Sequence, residues 1–235
     1  MTDGHQVLVS ASILNADFSR LDRVVHKMER AGADRLHLDV MDGHFVDNIT
    51  FGPDVVAAFR RLTDMPLDVH LMISQPARYM DRFIEADPQT ITFHVETDEG
   101  DGRKGEAIAA IHDAGKGAGL AVSPDTPVAA VDPWLGELDI IMIMSVYPGW
   151  GGQGFIPETA PKIAEARARL AAAGRGGLVH VDGGVNSKTA DVVGAQGIDV
   201  CIVGSALFTR GRDASDEVDL VKARALEAYA AAGVR

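Results

Sequence analysis

The sequence predicts a single (β/α)8 barrel of the TIM type, and three observations carry that expectation. Short β-rich runs alternate with longer stretches of helical apolar spacing, the pattern of βαβ units on a parallel sheet. Eight such units can be counted, whereas a doubly wound open sheet usually stops at about five to seven strands. The 235 residues are 46% hydrophobic and 24% charged, enough for one core. No Pro/Gly/Ser-rich linker divides them, so residues 1–235 read as one domain.

The strands are expected at Val7 to Ser10, Arg35 to Val40, Leu67 to Met72, Thr90 to Val95, Gly117 to Val122, Asp139 to Met144, Leu178 to Val181 and Asp199 to Val203. A helical segment follows each, some of them short. Leu21 to Ala31 carries Leu21, Val24, Val25 and Met28 at helical spacing, and Pro161 to Ala173 is rich in Ala, Arg and Glu. Ala31-Gly32, Ala114-Gly115 and Ala173-Gly174 put glycine just past a helix end, where a left-handed cap requires it. No solenoid-type repeat competes with this reading.

Lys and Arg total 22 against 34 Asp and Glu, a net charge of −12, and no basic run exists to neutralise phosphates. Nucleic acid and anionic membranes are therefore not expected partners. Cys201 is the one cysteine, Met1-Thr2-Asp3-Gly4-His5 lacks a signal-peptide pattern, and no apolar stretch spans a bilayer, so a soluble cytoplasmic protein is expected.

A barrel builds its site at the C-terminal strand ends. With period two, His37, Asp39 and Met41 share a face at the end of strand two, as do Asp68, His70 and Met72 on strand three. His180 and Asp182 do so on strand seven, and strand one leads into Ser10-Ala11-Ser12. Inward polar groups are costly unless paired, protonated or bound to a cation. Two imidazoles and two carboxylates converging from three strands form a nitrogen and oxygen set for a divalent ion such as Zn²⁺, Mn²⁺ or Fe²⁺. His94 and Glu96 share a face on strand four and read as supporting or structural. His180, one inward position deeper than Asp182, reads as hydrogen-bonded in the core. His5, His26 and His112 read as surface residues and His44 as a supporting loop residue.

Glycines follow strands six, seven and eight, in Pro148-Gly149-Trp150-Gly151-Gly152-Gln153-Gly154, Gly183-Gly184 and Gly204-Ser205. Exposed N–H groups in such loops hold phosphate without lysine. Lys27, Lys104, Lys116, Lys162, Lys188 and Lys222 all fall on helical segments or the loop entering strand five, which disfavours a Schiff-base aldolase.

From Ser10 through Phe208 the sequence resembles the ribulose-phosphate 3-epimerase family. The resemblance is carried by Ser12-Ile13-Leu14-Asn15-Ala16-Asp17-Phe18, by His37 through Val46, by Asp68-Val69-His70-Leu71-Met72 and by Met144-Ser145-Val146 with Pro148-Gly149 and Gly151-Gly152-Gln153. Val181-Asp182-Gly183-Gly184-Val185-Asn186 and Gly204-Ser205-Ala206 complete it. It implies a ribulose-phosphate-binding barrel and inversion at C3 of D-ribulose 5-phosphate to D-xylulose 5-phosphate, a step of the pentose phosphate pathway. It implies one divalent metal on His37, Asp39, His70 and Asp182, zinc ahead of manganese, iron or cobalt, with Asp39 and Asp182 as the two acid/base groups. Ser12 and His70 would contact substrate, and the backbone around Gly149, Gly151, Gly152, Gly183, Gly184, Gly204 and Ser205 would hold its phosphate. Met41, Met72 and Met144 would line the reacting carbon, and a homo-oligomer is expected. Two bases flanking the carbon from opposite strands suit inversion through an enediolate.

Family members commonly have Pro at Asp47, Asn or Glu at Tyr147, Phe at Trp150, and Asn-Pro followed by a small residue at Ser123-Pro124-Asp125. These loop differences leave open another ketose phosphate, allulose 6-phosphate or a tetrulose phosphate, as substrate. Related barrel decarboxylases acting on 3-keto sugar-acid phosphates carry a lysine where Met41 stands, which argues against that activity. A catalytically silent phosphate-binding barrel is the remaining alternative.

Overall fold

The computed structural model describes residues 4–174 and 176–233. Met1 to Asp3, used above for the signal-peptide reading, and the last residues of the expected 1–235 domain lie outside the described residues. Eight parallel strands close into a barrel in sequential order, with the last pairing back onto the first. They are β1 (Leu8–Ser12), β2 (Arg35–Met41), β3 (Leu67–Met72), β4 (Thr90–His94), β5 (Gly117–Val122), β6 (Ile140–Met144), β7 (Leu178–Asp182) and β8 (Val200–Val203). The α-helices are α1 (Leu21–Arg30), α2 (Pro53–Leu62), α3 (Pro76–Glu85), α4 (Asp101–Asp113), α5 (Pro161–Ala172), α6 (Ala190–Gly194) and α7 (Ala214–Ala232).

β3 and β5 match the expected bounds, but β1 continues to Ser12 and β7 to Asp182. Polar ends read as loop in the sequence, yet their backbones stay in the sheet because the site is built there. No α-helix follows β5. Pro127 precedes the 3-10 segment Val128–Trp134 and Pro133 lies inside it, and a proline ring inside a helix removes a donor and clashes with the preceding turn. After β7 the helix has five residues. A Cβ on its Gly194 would stand 2.2 Å from the Ala225 carbonyl oxygen of α7, so glycine permits that close crossing.

The outward face of the strands, with Leu36, Leu38, Val69, Leu71 and Val181, packs beneath the helices in one large apolar core. The barrel interior is divided. Towards β5, β6 and β8 it is apolar, with Ala121, Ile140, Met142 and Ile202. Towards β1 to β4 it holds the buried polar residues Ser10, His37, Asp68, Thr90 and Thr92. Asp68 organises this half, accepting from Thr90 Oγ1 at 2.8 Å and Ser10 Oγ at 3.4 Å and bonding His37 Nδ1 at 2.9 Å. Buried polar groups without such partners would cost ~1–3 kcal/mol each. Among the described residues no helix is long and apolar enough to cross a membrane.

Candidate metal and active site at the barrel mouth

Parallel register brings the polar strand ends together. Ser12 pairs with His37, Asp39 with His70, Met41 with Met72, and Met144 with Asp182. Asp39 Oδ1 lies 3.3 Å from His37 Nε2 and 3.3 Å from His70 Nδ1. Asp182 Oδ2 lies 3.8 Å from His37 Nε2 and 3.5 Å from His70 Nδ1. One donor atom from each of these four residues falls within 4.8 Å of every other.

This set fits a divalent cation on its own geometry. Four donors each about 2.0–2.2 Å from a tetrahedral centre lie about 3.3–3.6 Å apart, close to the separations seen here. His37 Nε2 is buried and has no hydrogen-bond partner, although its other nitrogen is held by Asp68. A ring fixed through one nitrogen with the other turned on two carboxylates is the usual arrangement of a metal-binding histidine.

In the protein alone, the imidazoles balance the carboxylates. Burial depresses the His37 pKa, but the charges of Asp39 and Asp68 outweigh it and hold the ring well above its ordinary value. His70 is raised for the same reason, through Asp182 and Asp39 against its burial. Burial would raise the Asp39 carboxyl, yet His37 and His70 hold it far below the usual carboxylate range. Asp68 follows the same pattern with His37 and His180.

Above the cluster lies a cleft enclosing about 630 Å³, part of it open to solvent. Ser12, Asp39 and Asp182 reach its floor, and Met41, Met72 and Met144 form an apolar wall. Its other wall comes from the loops after β6, β7 and β8, with Gly149, Gly151, Gly152, Gly183, Gly184, Gly204 and Ser205. The glycines of the β7 loop are forced by close approach. Gly183 has φ 120° and a Cβ there would lie 2.5 Å from Val146 Cγ2, while one on Gly184, at φ 65°, would lie 2.3 Å from Phe155 N. No lysine lines this cleft. Lys188 lies in the turn before α6, not on a helix.

His37 and His70 are fully buried beneath the floor. His70, expected also to touch substrate, does not line the cleft, because the Asp39 and Asp182 carboxylates cover its Nδ1 side. Asp39 and Asp182, expected on opposite strands, stand on β2 and β7. Around the closed eight-stranded barrel these strands are three steps apart, with β1 and β8 between them on the shorter side, one step short of diametrically opposite. His180, expected to hydrogen-bond in the core, has no partner for either ring nitrogen. Its Nδ1 stands 3.6 Å from Asp68 Oδ2, which His37 already occupies. His94 bonds His70 and Glu96. His5 stacks on Tyr229 and bonds the Ile198 carbonyl, and His112 bonds Asp139, so neither is a free surface residue. His26 and His44 are exposed.

Several residues around the mouth escaped sequence reasoning. Asp42 Oδ1 accepts from the backbone N–H groups of His44 and Phe45, and Oδ2 from the N–H and hydroxyl of Ser74, tying the β2 loop to the β3 loop. The Asp42-Gly43-His44 sequence is an Asx-turn signal that could have found it. Asn48 donates to the Gly149 carbonyl across the mouth, and Gln153 donates to the carbonyls of Tyr147 and Trp150. Asn15 lines the cleft against Gly151. These contacts join segments far apart in sequence, and no local pattern announces them. Of the unusual loop residues, Tyr147 donates its hydroxyl to Asp125, and Trp150 is 60% exposed at the rim.

Residues 8–208 match the model of the Ribulose-phosphate 3 epimerase family. A ribulose-phosphate 3-epimerase of Bacillus subtilis (strain 168) is 42% identical over 203 residues, 86% of this chain and 92% of the relative. Another, of Rhodobacter capsulatus, is 41% identical over 218 residues, 93% of each chain. The crystal structure of 3-hexulose-6-phosphate synthase from Salmonella typhimurium superposes with a TM-score of 0.70 at 18% identity, covering 94% of this chain and 100% of that one, a likeness of fold alone. With a family match across most of the barrel and relatives above two-fifths identity, the chain belongs to the ribulose-phosphate 3-epimerase family.

Proposed function

We propose that this epimerase inverts C3 of D-ribulose 5-phosphate to give D-xylulose 5-phosphate, using Asp39 and Asp182 as the two acid/base groups beside a divalent cation. The observation that carries the reading is the convergence of His37, Asp39, His70 and Asp182 at ligand spacing directly under the cleft. That the relatives are ribulose-phosphate 3-epimerases supports the substrate.

Inversion next to a ketone removes a proton from one face of the carbon and returns one to the other. Asp39 and Asp182 each present a carboxylate to the cleft floor, from either side of Ser12. One takes the C3 proton and the other, in its acid form, delivers a proton to the opposite face. In the reverse reaction their roles exchange. A carboxylate is far too weak a base to do this alone, so the enediolate must be stabilised as its charge develops. A divalent ion on the four donors would supply that stabilisation as a Lewis acid, and zinc, which takes nitrogen and oxygen donors at tetrahedral spacing, is the ion we propose. Ser12, bonded to Asp39 Oδ2 at 2.7 Å, orients this carboxylate. Met41, Met72 and Met144 are almost fully buried and give the planar intermediate a wall that excludes water and carries no acidic proton. Ser205 opens a 3-10 turn, Ser205–Phe208, whose first N–H groups have no intrahelical acceptor. Together with the glycine loops it forms the phosphate end.

The test is a panel of ketose phosphates, including D-ribulose 5-phosphate, allulose 6-phosphate and a tetrulose phosphate, assayed in D2O for epimerisation and deuterium incorporation at C3. Exchange fastest with D-ribulose 5-phosphate, lost on chelation and restored by zinc, is expected. Preference for another ketose reassigns the substrate. Exchange that survives complete metal removal overturns the cation, and no exchange at all leaves a silent barrel.

A further inference from the structure

We infer that His94 and Glu96 act as positioning residues, forming a polarised hydrogen-bond chain that selects which nitrogen of His70 faces the cation site. The inference rests on the metal reading of the cluster and extends it by one layer. His70 Nε2 and His94 Nε2 stand 3.0 Å apart. Two facing imidazole nitrogens at that distance need one N–H and one lone pair, and neutral rings can meet this in either direction. The far end decides. His94 Nδ1 lies 2.9 Å from Glu96 Oε2, and an ionised carboxylate only accepts.

His94 therefore carries its hydrogen on Nδ1 and offers a lone pair at Nε2. His70 must then donate from Nε2, which leaves the Nδ1 lone pair directed at the gap between Asp39 and Asp182. A lone pair facing two carboxylates is repulsive without a cation and is a ligand with one. The opposite polarity would place an N–H there and remove His70 from the donor set.

Glu96 is suited to hold this direction. It sits just past β4 with its side chain 24% exposed, and its Oε1 accepts from the backbone N–H of Ser123 at 2.7 Å. Burial works against its ionised form, but hydrogen bonds from His94, Thr126 and Ser123 bring its pKa down to about 2. Lys162 braces the same turn by donating to the carbonyls of Ser123, Pro124 and Thr126. His94 is fully buried, its ring centre 5.1 Å from that of His70 and inclined to it by only 24°, as an end-to-end hydrogen bond requires, with the Phe45 ring centre at 4.7 Å. It has no room to turn and evade the constraint.

Glu96→Gln tests polarity without changing shape. Both oxygens of Glu96 face donors, and the backbone N–H of Ser123 cannot reverse. The glutamine oxygen must stay with Ser123, which turns its NH2 on His94 Nδ1 and drives the chain into the wrong direction. The expected result is a ~10–100-fold loss of zinc affinity, the range for losing the hydrogen-bond support of a metal-ligating histidine, because the reversed chain takes the lone pair of His70 away from the cation. It would be read by competition with a chromophoric chelator, with the metal-free melting temperature near wild type. Glu96→Asp, still acceptor-only, should lose less than Glu96→Gln. Imidazole 15N shifts of the zinc-loaded wild-type protein should show His94 protonated on Nδ1 and bare on Nε2. Unchanged zinc affinity in Glu96→Gln, or a wild-type His94 protonated on Nε2, overturns the inference while leaving the metal site standing. A wild-type protein that takes up no zinc overturns both. Should Glu96→Gln fail to fold, the wild-type tautomer alone decides.

Discussion

Ser12 donates its hydroxyl to Oδ2 of Asp39 at 2.7 Å while Oδ1 of the same carboxylate lies between His37 and His70. The two oxygens thus have separate partners, and the carboxylate plane is set from β1. Removing the hydroxyl leaves Oδ2 free to swing. Ser12→Ala should lower kcat by about ten- to a hundredfold, the kinetic equivalent of one hydrogen bond to a charged group. Steady-state kinetics with metal content measured in parallel would check it. Unchanged kcat with full metal would show that the hydroxyl does not orient Asp39.

Of the two proposed acid/base groups, Asp182 is the more easily separated from the buried network, since its side chain is 15% exposed against 4% for Asp39. Asp182→Asn keeps shape and one ligand oxygen but cannot shuttle a proton. Epimerisation should fall by about ten-thousandfold or more, the upper end of general acid/base help or beyond it, because the residue would also serve the cation. The informative measurement is C3 exchange in D2O on each epimer separately. The epimer whose proton faces Asp39 should still exchange without inverting. Equal residual exchange on both epimers would contradict a two-base site.

The architecture could be read from alternating β and helical runs because a parallel barrel repeats one unit, and β3 and β5 match the observed bounds. Period two at the ends of β2 and β3 also placed His37, Asp39 and His70 on one inner surface. What the chain did not disclose was depth. His37 and Asp68 are both inward on neighbouring strands, and only the register that pairs them shows Asp68 bonded to the His37 nitrogen turned away from the other three donors, and so outside the cluster. His180 reads in sequence as a hydrogen-bonded core histidine, but its Nδ1 stands 3.6 Å from Asp68 Oδ2, just beyond hydrogen-bond reach. The straps made by Asn48 and Gln153 depend on tertiary approach of loops and have no periodic signature.

Asp42 supplies a pH-dependent contribution outside the ligand set. Its partial burial raises the pKa, but the N–H groups of Ser74, Phe45 and His44 and the Ser74 hydroxyl lower it from 3.8 to about 2. The folded value is the lower one, so the unfolded chain binds more protons between the two. The stabilisation is therefore complete above the unfolded pKa and is lost as pH falls through about 2. Asp42→Ala should lower the urea midpoint near neutrality, and its gap from wild type should narrow from about pH 4 downward. A gap independent of pH would assign the loss to packing and not to the carboxylate.

Gly152 and Gly184 both sit at positive φ in loops lining the cleft, yet their surroundings differ. A Cβ on Gly152 meets nothing within 4 Å, whereas one on Gly184 meets the backbone of Phe155 at 2.3 Å. Alanine at 152 should cost only the left-handed penalty, about 1–2 kcal/mol, with catalysis nearly intact. Alanine at 184 carries that penalty and must also push the β7 loop away from the β6 loop, widening the phosphate end. It should lower kcat/KM by about tenfold or more and weaken inhibition by inorganic phosphate, because misplaced binding groups cost rate as well as affinity. The two variants share backbone strain, so their difference isolates the loop contact. If both behave alike in kcat/KM and phosphate inhibition, the close approach at Gly184 serves folding only and the phosphate must be held elsewhere.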